Sequence, residues 1–79
     1  MVGEELLGRI AVDPGVAFGK PTVKGTRITV GRVLELLAGG ATQMGLRDEY
    51  PQLTTDDIRA VLAFGAQLAS GVFLEVEAG

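Results

Sequence analysis

The stretch Phe18-Gly19-Lys20-Pro21-Thr22-Val23-Lys24-Gly25-Thr26-Arg27-Ile28-Thr29-Val30 decides how this chain folds. Gly19 and Gly25 take positive φ at no steric cost, and Pro21 fixes its own φ and donates nothing to a ladder. Thr22-Val23-Lys24 has the β-branched content of a short strand. Lys24-Gly25-Thr26 reads as a tight turn, and Arg27-Ile28 leads back out. Thr29 stands where it caps a helix beginning at Val30, accepting from a free N–H of the first turn. The expectation is a small hairpin or β-arm carrying Lys20, Lys24, Thr26 and Arg27, joined directly to a helix that carries Arg32. These basic side chains are either a solvated face of a structural hairpin or a surface for an anionic partner, phosphate or an acidic protein patch.

Upstream, residues 1–7 read as a loosely held start, with Leu6 and Leu7 docked on the core or opening the first strand. Arg9-Ile10-Ala11-Val12-Asp13 alternates polar and apolar as a half-buried strand does. Asp13-Pro14-Gly15 is a turn in which Pro14 pre-sets φ and Gly15 takes positive φ. Phe18 is expected as a core anchor, the usual fate of an aromatic side chain.

Downstream, a first core helix runs from Val30 to Ala38, with Val30, Val33, Leu34 and Leu37 on one stripe. Gly39-Gly40 supplies C-cap chemistry. Thr42 opens a second, short helix, with Met44 as core filler and Pro51 stopping it at Tyr50. Leu53 points inward. Thr54 as N-cap with Asp57 three residues on approximates a capping box for a third helix. Ile58, Val61, Leu62, Gly65, Leu68 and Ala69 form its expected inward stripe, with Phe64 off to one side, and Ser70-Gly71 closes it.

Asp13-Pro14-Gly15, Gly19-Lys20-Pro21, Lys24-Gly25-Thr26-Arg27-Ile28-Thr29-Val30 and Tyr50-Pro51-Gln52-Leu53-Thr54-Thr55-Asp56-Asp57-Ile58 together resemble domain-of-unknown-function family 433, over roughly residues 8–69. The resemblance implies a mainly α fold: a short N-terminal β-arm or hairpin and a three-helix, homeodomain-like bundle of helix-turn-helix type. It also implies a role as the antitoxin half of a toxin–antitoxin pair, whose partner is a PIN-like ribonuclease. Residues 1–79 are expected as a single domain: arm over 1–29, core over 30–70, tail over 71–79.

The 79 residues are 47% hydrophobic, which argues for a packed globule and against disorder. A domain of this size buries only about 60–65% of its unfolded surface, so its margin is thin and a homodimer is one remedy. Without cysteine there is no disulfide framework or thiolate metal site. No apolar run approaches the roughly 20 residues of a membrane helix, and a cytoplasmic protein is the simplest reading. Net charge is −3. It is segregated: residues 1–32 carry +2, with Arg9, Lys20, Lys24, Arg27 and Arg32 outnumbering Glu4, Glu5 and Asp13. Residues 33–79 carry −5.

Enzyme chemistry is weakly supported. With neither histidine nor cysteine, acid–base work falls to carboxylates, Lys, Ser, Thr or Tyr50. Asp56-Asp57 has a plainer explanation in helix N-terminus electrostatics, and Asp48-Glu49 reads as solvated surface. No P-loop spacing surrounds Gly19-Lys20. No metal or cofactor is expected. As a helix-turn-helix protein the chain would present Thr55, Asp56 and Asp57 to a major groove, where phosphate repels the two carboxylates. DNA contact would therefore fall to Lys20, Lys24, Arg27 and Arg32 through phosphates. The tail Val72-Phe73-Leu74-Glu75-Val76 is the preferred toxin contact, through the apolar anchors Val72, Phe73, Leu74 and Val76. The plainer alternative pairs it as a strand with Arg9–Val12, within the chain or across a dimer. The leading expectation is a non-enzymatic antitoxin with possible DNA binding. A stand-alone DNA-binding regulator and a structural interaction module are the alternatives.

Overall fold

In a computed structural model, which describes residues 4–70, the capping box expected at Thr54 closes in both directions. The Asp57 backbone N–H donates to Thr54 Oγ1 at 3.1 Å, and the Thr54 N–H donates to Asp57 Oδ2 at 3.0 Å. Leu53 and Ile58 flank the box at the positions of a hydrophobic staple, and both are buried in the core. The helix launched here, α4 (Thr55–Ser70), is the element against which the rest packs. It meets α1 (Glu4–Leu7), β1 (Ile10–Ala11), α2 (Val30–Ala38) and α3 (Gln43–Glu49).

The mainly helical fold agrees with the sequence expectation, and α2 has the expected bounds. Thr29 Oγ1 accepts from the Arg32 N–H at 3.0 Å, as an N-cap does. At the other end Gly40 N–H donates to Leu37 O and Ala41 N–H to Leu36 O, with Gly40 at φ +102°, so α2 ends in a Schellman motif. Thr42 caps α3 through the Gly45 N–H. Val23, Ile28, Val30, Val33, Leu46, Leu53, Ile58 and Val61 form the core, ringed by Ile10, Leu34, Leu36, Leu37, Ala41, Tyr50 and Phe64.

The expected N-terminal hairpin is present and packs into the globule. β1 pairs antiparallel with β2 (Thr22–Val23) in the register Ile10↔Val23, Ala11↔Thr22. A bridge from Thr22 to Thr29 flanks β2 on its other side. Val23 and Ile28 project into the core, so the hairpin is part of the globule. An ion pair adds to this packing: Arg9, just before β1, places Nη1 3.1 Å from Asp57 Oδ1 and Nη2 3.7 Å from Asp56 Oδ2.

Five further expectations are corrected. Residues 4–7 form the turn of helix α1 and lie on α4. Gly15 does not take positive φ; the Asp13 side chain closes that turn by accepting from the Gly15 N–H at 2.8 Å. Met44 is exposed, because α3 is short and turns Leu46, two residues away, inward. On α4 the buried face is Asp57, Ile58, Ala60, Val61 and Ala63, with Phe64 packed against the core, whereas Leu62, Leu68 and Ala69 are exposed. Sixteen residues span about 24 Å, and the last turn outruns the shorter helices that could cover it. Phe18 is exposed, for reasons of backbone conformation given below. The tail, with Val72, Phe73, Leu74 and Val76, lies outside the described residues.

Asp57→Ala removes a cap, strands the Thr54 N–H and releases Arg9. It should cost about 2 kcal/mol, roughly 10 °C in Tm, by thermal or urea denaturation. Asp56→Ala, at a half-exposed carboxylate, should cost under about 0.5 kcal/mol.

Candidate binding face on the hairpin and its preceding loop

The turn joining β2 to α2 is built by residues of the Lys24–Thr29 stretch. The Thr26 N–H donates to Val23 O at 2.9 Å, with Gly25 at φ +81° in the left-handed position that a type II turn requires. The Thr26 hydroxyl donates to Val23 O at 2.8 Å and accepts from the Ile28 N–H at 3.0 Å. Thr26 therefore serves the turn first. Lys24 N–H donates to Arg9 O, Val23 N–H to Ile28 O, and Val30 N–H to Pro21 O. The backbone that carries Lys20, Lys24 and Arg27 is thus tied to β1 on one side and to the start of α2 on the other.

Lys20, Lys24 and Arg27 are exposed, and none makes an ion pair among the described residues. Arg32 is set apart from them. Interaction with the Tyr50 side chain raises its pKa above the ordinary arginine value, and Glu35 and Glu49 add smaller Coulombic effects. Structure gathers Lys20, Lys24 and Arg27 on one hairpin and leaves Arg32 beside the end of α3.

Before the hairpin, Ala17, Phe18 and Gly19 take φ of 49°, 58° and 80° in succession. Left-handed helical backbone costs an L-residue about 1–2 kcal/mol, and only glycine escapes it. Two hydrogen bonds close the turn, Gly19 N–H to Val16 O at 3.0 Å and Lys20 N–H to Ala17 O at 3.2 Å. Reversing the hand of this turn directs Phe18 away from the core, and its relative exposure is 99%. Sequence reasoning missed Phe18 as a surface residue. Composition favours burial, and the one pointer to a left-handed turn was Gly19 directly after it.

Two other features have their chemistry internally satisfied. An open cleft of about 340 Å³ between α1 and α4 is lined by Glu5, Leu6, Arg9, Asp56 and Arg59. Asp56 bridges Arg9 and, at 3.5 Å, Arg59, so the cleft carries little net charge. Among the described residues no three His, Cys, Asp or Glu side chains converge as metal ligands would.

A family model described as "Protein of unknown function (DUF433)" matches residues 10–65. Among solved structures the chain is similar to a DUF433 member protein from Anabaena variabilis ATCC 29413, at 27% identity and a TM-score of 0.74. That likeness covers 89% of this chain and 80% of the other. Comparison with curated proteins gives no match. No described helix is long and apolar enough to cross a membrane.

Thr26→Val keeps the shape of the side chain and deletes its hydroxyl, leaving the partly buried Ile28 N–H unpaired. The variant should lose about 1–2 kcal/mol in chemical denaturation, and Thr26→Ser should recover most of it.

Proposed function

We propose that this chain, which belongs to the DUF433 family, is a non-enzymatic binding protein that neutralises a PIN-like ribonuclease by docking its hairpin on the nuclease's acidic surface. The observation that carries this reading is the set of cations Lys20, Lys24 and Arg27 on a braced hairpin, exposed and unpaired among the described residues, in a chain of net charge −3. Where acids are abundant, three cations on one hairpin without an acidic partner are available for an outside one. A ribonuclease that holds its metal with carboxylates offers such a surface, and cations placed there compete with both metal and RNA.

The same cations also fit phosphate, which supports DNA as a second reading. One property favours protein. The start of α4, which by order is the recognition helix, carries Asp56 and Asp57, both committed to Arg9. A homodimer with two hairpins on one side would improve the DNA reading. The undescribed tail would add a separate contact under either reading.

Co-purification and calorimetric titration with the PIN-like ribonuclease of the same genome test the proposal. A one-to-one complex that inhibits the nuclease is the expected result. Replacing Lys20, Lys24 and Arg27 together by Glu should weaken it at least tenfold and leave Tm within a few degrees, whereas Arg47→Glu on exposed α3 should not. Absence of a complex, together with a steeply salt-dependent shift of promoter DNA, would replace this reading with the DNA-binding one.

A further inference from the structure

We infer that Phe18 is a preformed anchor that enters an apolar pocket on an acidic protein surface; this deepens, and rests on, the binding role proposed above. Among the described residues Phe18 has nothing to pack against, and yet three consecutive left-handed residues present it. Strained backbone of this kind persists only where its surroundings enforce it, and it gathers at binding sites. Here both ends of the loop are fixed. On the upstream side the Asp13 carboxylate accepts from the Gly15 N–H, and Asp13 O accepts from the Val16 N–H at 2.9 Å. Downstream, Pro21 O accepts from the Val30 N–H at 2.9 Å, which bolts the exit to the first turn of α2. An aromatic side chain held in advance loses little freedom on binding, the condition under which one residue acts as an interface hot spot.

Charge selects the partner. Lys20 follows Phe18 by two residues, and Lys24 and Arg27 follow on the hairpin, all exposed and unpaired among the described residues. Lys20 is the cation beside Phe18 in the chain, and an aromatic anchor next to a cation complements an apolar pocket bordered by carboxylate. A second copy of this chain is less suited. Its α2 and α3 set Arg32 and Arg47 against Glu35, Asp48 and Glu49, so they offer little acidic surface to the cation beside Phe18. An anionic membrane is less suited too, since a single phenylalanine on a chain of net charge −3 gives little insertion energy.

Phe18→Asn separates a binding role from a structural one, because asparagine accepts left-handed backbone more readily than phenylalanine. Titrated against the purified PIN-like ribonuclease, the variant should bind at least tenfold more weakly. Its Tm should stay the same or rise by a few degrees as strain is relieved. Affinity equal to wild type would overturn the inference and leave the proposed function standing. No complex with wild type would overturn the proposed function. Benzoylphenylalanine replacing Phe18 in cells then decides the inference: photo-cross-linking into a carboxylate-rich, pocketed segment of another protein upholds it. Cross-linking to a second copy, no cross-link, or Phe18-dependent sedimentation with phosphatidylcholine–phosphatidylserine vesicles overturns it.

Discussion

The carboxylate of Asp57 holds two parts of the molecule in one place. One oxygen accepts from the Thr54 N–H and completes the cap that starts α4; the other accepts from Arg9 and fixes the entry to β1, the first strand of the hairpin. Asp57 is nearly buried, so both partners are needed to satisfy it. In a chain this small, with no disulfide, a side chain that joins a helix start to a sheet does work that a larger core would share among many contacts. The hairpin, the turn of α1 and the long helix are mutually placed through this point, and the position of Lys20, Lys24 and Arg27 follows from it.

The acids and bases of the chain divide by use. Asp56 and Asp57 are consumed in capping and in pairing with Arg9 and Arg59, and Asp13 closes its own turn. Glu35 and Glu49 lie near Arg32. The cations of the hairpin have no such employment among the described residues. Segregation along the sequence thus has a counterpart in space: Asp13, Asp56 and Asp57 serve the scaffold, and Lys20, Lys24 and Arg27 are exposed.

Much of this was legible in the sequence because it rests on local rules. Thr29 and Gly39-Gly40 define α2 from three residues of capping chemistry, and Thr54 with Asp57 defines the start of α4. Lys24-Gly25-Thr26 marks its turn for the same reason. What was not legible depends on tertiary context. Helical periodicity does not say where along α4 the neighbouring helices end, so Leu68 reads as core although it is half-exposed, and Leu62 turns outward between the buried Val61 and Ala63. Met44 reads as filler until the rotation of α3 about Leu46 is known. Phe18 is the sharpest case. Its exposure is set by the sign of φ at Ala17 and at Phe18 itself, and neither residue type announces a left-handed conformation. The cations were legible as candidates by type, but their separation into a free group and Arg32, beside Tyr50, required the fold.

A single measurement bears most directly on the claim that the loop and hairpin form the binding face: chemical-shift mapping of the backbone amides during titration with the PIN-like ribonuclease. The account predicts that the largest shifts fall between residues 16 and 28, with the start of α4 at Asp56–Arg59 little changed. Shifts concentrated on the start of α4 with residues 16–28 unmoved would contradict it.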